Sequence, residues 1–287
     1  MQLTCKAPAK INLYLSIKGR REDGYHELET QMVKLELADV LHLELCSGGI
    51  SLHCSDSALP TDEGNLVYRA VGSFLVKTGI RKGIRIVLEK NVPVAAGLGG
   101  GSSDAAAALR GINQLCGNPL SGQQLVDLAR PLGADVPFFV NECVSAWATG
   151  IGDVISPNRV STSEWIVLVN PGFSVSTKWV YENFTLTTGG NPYILGREFV
   201  HGGKSCREPV NVPLYNDLEA VTIRKYPELG RIKEELLADG ASGALMSGSG
   251  PTVFGLFADE QDARESAARF GKQFGRNVFL TRPLITQ

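Results

Sequence analysis

Histidine is scarce in this chain, with four residues in 287. The six cysteines, Cys5, Cys46, Cys54, Cys116, Cys143 and Cys206, include no C-x-x-C pair and no histidine set at metal-ligand spacing. A zinc site or a disulfide framework is therefore not expected, and the cysteines read as reduced, mostly buried small hydrophobes. His42 and His53 fall within alternating, strand-like runs and read as sheet residues. Excess charge is also missing. With 28 basic and 30 acidic residues the formal net charge is −2, which excludes the electrostatic footprint of a nucleic-acid or anionic-membrane binder. No basic stretch followed by an apolar segment stands at the start, and no apolar run approaches the roughly 20 residues a membrane-crossing helix needs. A cytosolic protein is expected. Internal repeats and low-complexity tracts are absent as well.

What is present in quantity is apolar residues, 43% of the chain, enough for one large or two ordinary cores. The first 45 residues alternate as strands do: Ile11, Leu13, Leu15 and Ile17 share one face, and Lys10, Asn12, Tyr14 and Ser16 the other. A turn at Asp23-Gly24 follows, then alternating runs over Met32 to Leu37, Val40 to Leu45 and Ile50 to Cys54. Helical spacing marks Asn65 to Thr78, and a strand is expected over Ile84 to Glu89. Ser121 to Gln124 fits a capping box opening a helix that Gly133 closes, with a buried stripe of Leu125, Leu128, Ala129 and Leu132. Beyond about Pro157 the pattern starts again. A strand over Trp165 to Val169 precedes a loop-rich span from Thr185 to Val212. A helix carrying Leu229, Ile232, Leu236 and Leu237 comes next, then strands over Ala244 to Met246 and Thr252 to Phe257, a helix over Glu260 to Phe274 and a strand over Asn277 to Thr281. Two α+β domains, 1–157 and 158–287, are the simplest parse.

Between the strand ending at Glu89 and an alanine-rich helix lies Pro93-Val94-Ala95-Ala96-Gly97-Leu98-Gly99-Gly100-Gly101-Ser102-Ser103-Asp104. Glycines let the backbone take positive φ and come close to a bulky ligand. Ser102, Ser103 and Asp104 are N-cap candidates for the helix running on to about Leu115. The first-turn N–H groups lack intrahelical partners and sit at the positive end of the helix dipole, which suits a phosphate. A P-loop is excluded because no Lys follows the glycines until much later in the chain, and the dinucleotide fingerprint fails because its third glycine position is Ser102. A plain connecting loop is the alternative.

Three further groups bear on chemistry. Asp135, just past a helix stop and before Val136-Pro137-Phe138-Phe139, would need a cation or donors to stay ionised, and Lys10 is the natural candidate. The alternative makes Asp135 a turn residue capping its own backbone and Lys10 a surface residue. Ser247-Gly248-Ser249-Gly250-Pro251-Thr252 is a second glycine-rich turn offering backbone donors, although such turns also simply join strands. Tyr25-His26 could stack on and hydrogen-bond to a base, or be ordinary exposed loop residues.

Taken together, Ala7-Pro8-Ala9-Lys10-Ile11-Asn12-Leu13, the loop Pro93 to Ser103, and Leu245 to Phe254 resemble, in order, the three motifs of the GHMP small-molecule kinases. Gly24-Tyr25-His26, the extra glycine of the loop, Leu132 to Pro137 and Asn216-Asp217-Leu218-Glu219 resemble the branch whose substrate carries a cytidine diphosphate. The resemblance implies a two-domain α+β fold. Its N-terminal β/α domain would bind the nucleotide, its C-terminal α+β domain would be ferredoxin-like, and the active site would lie between them. It implies ATP as co-substrate, magnesium, and a small cytidyl alcohol as acceptor, with no nucleic-acid or membrane partner. By the same carry-over Asp135 is the base toward the acceptor hydroxyl with Lys10 beside it, and Pro93 to Ser103 and Asn65 serve ATP. Asn12, Tyr25, His26, Thr177 and Tyr181 serve the substrate, Tyr25 and Tyr181 holding the base, with Trp179 and Phe173 as rivals to Tyr181. No carboxylate pair at the loop owns a metal, and Thr187 to Pro209 matches no motif. The alternatives are another GHMP kinase acting on mevalonate, homoserine or a sugar, for which a base-reading pair is unnecessary, and a non-catalytic binder, which would have no need of Lys10 or Asp135.

Overall fold

A computed structural model describes residues 1–158, 164–185 and 213–285; most of the loop-rich span, the unassigned segment Thr187 to Pro209 and Cys206 lie outside them. The chain divides into two compact units that are discontinuous in sequence. The first comprises Met1–Ala9, Ala38–Val92 and Gly99–Glu142, and the second Lys10–Leu37, Pro93–Leu98 and Cys143–Gln287. The cut expected at 157/158 falls within the second.

Strands β1 (Gln2–Arg20) and β2 (His26–Cys46) are long enough to belong to both units. The two runs expected over Met32 to Leu37 and Val40 to Leu45 are thus one strand, continuous through Ala38-Asp39. Asp39 is fully buried within it, a position from which a polar residue reads as a break unless its partner elsewhere in the chain is known.

In the first unit, Val40 to Cys46 of β2 pairs antiparallel with β4 (Gly83–Glu89), and β3 (Ile50–Cys54) lies parallel to β4. Helix α1 (Leu66–Thr78) buries Val67, Ala70, Val71 and Phe74, starts under the Asn65 cap and ends at Gly79 with φ 69°. Helix α2 (Gly100–Leu115) is buried along almost its whole length, its alanines admitting close neighbours. The capping box at Ser121 is present, and α3 (Gly122–Ala129) buries Leu125 and Ala129. A 3₁₀ turn, Arg130–Leu132, extends it, with Gly133 in extended backbone beyond, before the short α4 (Val136–Val140).

In the second unit, Thr30 to Val33 of β2 pairs with β5 (Ser145–Thr149), which pairs with β6 (Val154–Asn158). A second sheet has the order β11 (Val278–Thr281), β7 (Trp165–Val169), β10 (Val253–Phe257), β9 (Gly243–Met246), every pair antiparallel. Counted along the chain this is order 4-1-3-2. The helices α5 (Thr177–Glu182), α6 (Glu219–Lys225) and α7 (Glu228–Ala238) fall between its first two strands, and α8 (Glu260–Phe274) between its last two. The short β8 (Tyr215–Asn216) precedes α6 and pairs with β1 instead. That split βαβ order is the ferredoxin-like arrangement expected for the C-terminal portion. Leu229, Ile232 and Leu236 of α7 and Ala263 and Phe270 of α8 join Val167, Val169, Val253 and Phe257 in its core, each large apolar side chain contributing about 1.5–3 kcal/mol. Asp259 caps α8 by accepting from Gln261 N and Asp262 N. Among the described residues no helix is long and apolar enough to cross a membrane.

Candidate active site

The glycine loop is built differently from its sequence reading. Positive φ occurs at Ala95 (52°), Gly97 (76°) and Gly99 (69°), whereas Gly100 and Gly101 already form the first turn of α2. Gly99 is the N-cap and no side chain caps the helix. Ser102, Ser103 and Asp104, expected as caps, therefore lie inside it. The first intrahelical bond is Ser103 N to Gly99 O at 2.9 Å, so the amides of Gly100, Gly101 and Ser102 precede the ladder, as an anion seat requires. Gly97 has a second reason to be glycine: a Cβ there would stand 2.2 Å from Ser247 O.

That contact belongs to a compact constellation in the second unit. Ser247 Oγ donates to Gly97 O at 2.9 Å, Thr252 N donates to Ala96 O and Lys10 N to Leu98 O. Lys10 and Asn12 are 4% and 3% exposed, so the surface reading of Lys10 is wrong: both faces of β1 are covered there. Lys10 Nζ donates to Asn12 Oδ1 at 2.7 Å, Asn12 Nδ2 to Thr30 Oγ1 at 2.7 Å, and Thr30 Oγ1 to Tyr14 O. The relay fixes the Lys10 side chain. A Cβ on Gly248 would lie 3.4 Å from Asn12 Oδ1 and 3.6 Å from Lys10 Nζ, which sets the second glycine turn beside both. Thr177 Oγ1 lies 2.9 Å from Ser249 Oγ on the same turn.

In the first unit Asp135 is half-buried at the N-cap position of α4, yet its side chain makes no cap bond. A Cβ on Gly133 would be 3.8 Å from Ser102 Oγ, so the turn carrying Asp135 runs beside the start of α2. Asn65, 8% exposed, is occupied as a cap: its Oδ1 accepts from Val67 N and its Nδ2 donates to Pro60 O.

A buried ion cluster underlies α2 and was not anticipated. Lys90 Nζ pairs with Asp39 Oδ2 and, at 2.8 Å, with Asp104 Oδ2. Asp39 Oδ1 also accepts from Asn91 N and Val92 N. Burial pushes the Asp104 carboxyl up to about 7, the Lys90 charge opposing and the Asp39 charge adding to it. Burial works against the ammonium of Lys90, but the two carboxylates hold its pKa above the ordinary value. Asp104 Oδ1 and the neighbouring Ser103 Oγ are buried without hydrogen-bond partners. Among the described residues no group of three or more His, Cys, Asp or Glu side chains could hold a metal.

The aromatic residues regroup. Tyr25 is 61% exposed in the turn before β2. His26 faces Tyr181 with ring centroids 5.4 Å apart and Phe184 at 6.2 Å. Burial, with Arg20 adding to it, lowers the His26 pKa. The rivals to Tyr181 are engaged elsewhere: Trp179 lies under Lys225 Nζ at 3.6 Å and Phe173 stacks on Tyr226 at 4.8 Å. Phe184 carried no signal beyond being an aromatic three residues after Tyr181.

The GHMP kinases N terminal domain matches residues 65–142 and the GHMP kinases C terminal domain residues 204–277. A 4-diphosphocytidyl-2-C-methyl-D-erythritol kinase of Syntrophotalea carbinolica is 47% identical over 279 residues, covering 97% of this chain and 98% of its own. A crystal structure of 4-(cytidine 5'-diphospho)-2C-methyl-D-erythritol kinase superposes with a TM-score of 0.78 at 37% identity, over 97% of this chain and 98% of that one. The mevalonate kinase of Methanococcus jannaschii shares the fold, with a TM-score of 0.66 at 13% identity over 99% of this chain and 98% of its own.

Proposed function

The chain belongs to the GHMP kinases and, within them, to the 4-diphosphocytidyl-2-C-methyl-D-erythritol kinases, and from that premise we propose how its residues perform the reaction. The enzyme transfers the γ-phosphoryl group of ATP to the 2-hydroxyl of 4-diphosphocytidyl-2-C-methyl-D-erythritol, releasing ADP, a step of the non-mevalonate route to isoprenoid precursors. A bond forms between the hydroxyl oxygen and the γ-phosphorus, the β–γ bridge breaks, and the hydroxyl proton passes to Asp135. Phosphoryl transfer depends mainly on positioning and charge stabilisation. The amides at the start of α2 receive the phosphates, and Lys10, oriented by Asn12, stabilises charge on the transferring group. Asn65 and the loop Pro93 to Ser103 serve ATP.

The observation that carries this reading is the fixed Lys10–Asn12–Thr30 relay beside Gly248, because a non-catalytic binder has no use for a buried, aimed ammonium. On the acceptor side Asn12 and Thr177 line the substrate, and His26 and Tyr181 form a wall for the base that Tyr25 closes. Magnesium accompanies ATP. It prefers oxygen ligands and usually keeps several waters; with no group of three or more His, Cys, Asp or Glu side chains among the described residues to hold it, phosphate and water oxygens would hold it, and it would neutralise phosphate charge. The reading carries with it a cytoplasmic location, and domains 1–157 and 158–287, the latter supported by family matches on either side of that cut.

The test is ADP release with magnesium and ATP, comparing 4-diphosphocytidyl-2-C-methyl-D-erythritol with mevalonate, homoserine and galactose. Turnover with the cytidyl substrate alone is expected. Turnover with another alcohol instead, or with none, refutes the reading. Tyr25→Ala is expected to weaken acceptor binding by roughly 1–3 kcal/mol, the scale of base stacking on an aromatic ring; an unchanged KM removes Tyr25 from the site.

A further inference from the structure

Asn216 is 0% exposed, and its amide is engaged on both sides. Its Nδ2 donates to Met246 O at 2.8 Å and to Gly248 O at 2.7 Å, while its Oδ1 accepts from Leu218 N at 2.9 Å. Both N–H donors of the side chain are thus spent on one turn. The backbone of Asn216 is fixed as well, since β8 lies parallel to β1 with Leu15 opposite Asn216. Strand β1 is the strand that carries Lys10 and Asn12. Asn216 therefore ties the second glycine turn to the strand whose Lys10 and Asn12 lie beside Gly248 of that turn.

Two neighbours act in the same sense. Thr222 Oγ1 donates to Ser249 O at 3.3 Å. Glu219 accepts from Met246 N at 2.9 Å and is itself held by Lys233, whose Nζ lies 2.8 and 2.7 Å from its two oxygens. Successive groups of the turn, Met246 N and O, Gly248 O and Ser249 O, are each held by a buried side chain. Loops whose backbone is pinned this way keep one conformation, and phosphoryl transfer is sensitive to small displacements of its charged groups.

We propose that Asn216 is a positioning residue for phosphoryl transfer: with Thr222 it holds the turn at residues 246–249 in register with β1, so that Gly248 confines the Lys10 ammonium and Asn12 to the geometry transfer requires. This role rests on the reading of Lys10 as a transfer residue. It adds Asn216 and Thr222 to the residues on which the rate depends.

Asn216→Asp keeps the shape and sets a carboxylate oxygen against two carbonyls. The expected result is a kcat at least tenfold below wild type, with KM for ATP and for the acceptor within threefold. Ile232→Val, a packing change in the core of the same unit, serves as control and should keep kcat within twofold. A purely structural role would lower the recoverable folded fraction, and with it the apparent rate, without this split from KM at matched folded concentration. If Asn216→Asp does not fold, Thr222→Val decides, with a severalfold loss of kcat expected. Should Asn216→Asp, or Thr222→Val in its place, retain kcat within twofold of wild type, the inference is overturned. Lys10→Met, measured alongside, keeps the two readings apart: full activity there refutes the role of Lys10, whereas an inactive Lys10→Met beside a fully active Asn216→Asp refutes only the role of Asn216.

Discussion

The two glycine-rich turns of this enzyme look alike in sequence and are built for opposite ends. In the loop from Pro93 to Ser103 the backbone turns through Gly97 and Gly99 and runs into α2, leaving first-turn amides that a ligand can take. In the turn from Ser247 to Thr252 the backbone is tied internally: Ser247 N bonds Thr252 O, Gly250 N bonds Ser247 O, and Asn216 and Thr222 take the carbonyls. On the proposed reading the first presents donors to the nucleotide phosphates, and the second braces the Lys10 side chain. Each lies beside a buried ion group. Beside the loop two carboxylates share one ammonium, and an oxygen is left over. Beside the turn one carboxylate meets one ammonium and a backbone N–H. Glycine content alone does not distinguish a ligand seat from a brace; the hydrogen-bond accounting of the backbone does.

The contrast is broken most severely at Lys90. Lys90→Met leaves Asp39 and Asp104 buried without their cation, and a loss of about 3–5 kcal/mol is expected in urea denaturation. A loss below about 1 kcal/mol would mean that the cluster is not a unit. Beside the brace, the double change Glu219→Leu with Lys233→Met removes both charges together, which is often close to neutral. Met246 N then loses its acceptor, so an intermediate loss of about 1–3 kcal/mol is expected. A double variant as damaged as Lys90→Met would erase the distinction between the two groups.

The subtlest difference is in pH dependence. Asp104 is raised in the folded protein from its ordinary 3.8 to about 7, so between those values the folded state holds a proton that the unfolded chain has released. Its contribution to stability is present at low pH and is lost as pH rises through 7. Asp104→Asn is expected to flatten the fall in urea stability between pH 5 and pH 8 relative to wild type. An unchanged slope would assign the titration to another group.

Local pattern made much of this legible. The strand Trp165 to Val169, the helix Glu260 to Phe274 and the Ser121 capping box follow from alternation, helical periodicity and capping chemistry, all of which act within a few residues. The glycine-rich entry into α2 was legible, but not in its detail: the cap fell on Gly99 because a left-handed residue could end the loop there, which moved the serines into the helix. Long-range polar contacts were not legible. Asp39 interrupts an apolar alternation and only makes sense once Lys90, 51 positions away, is seen against it. Asn216 reaches groups 30 and 32 residues distant. Lys10 was placed on the correct strand face, yet its burial depends on covering segments that alternation does not reveal. Tyr25 and His26, adjacent in sequence, parted company: Tyr25 stays exposed in the turn, whereas His26 starts β2 and faces Tyr181.

The most direct test of the account is single-turnover phosphoryl transfer by Asp135→Asn, with ATP binding measured on the same sample. A rate lower by about 10²- to 10⁴-fold, the usual contribution of general acid–base catalysis, is expected, with ATP affinity unchanged because the loop amides proposed to hold the phosphates are intact. Near-normal transfer would contradict the role of Asp135, and an equal loss of ATP affinity would make it a binding residue instead.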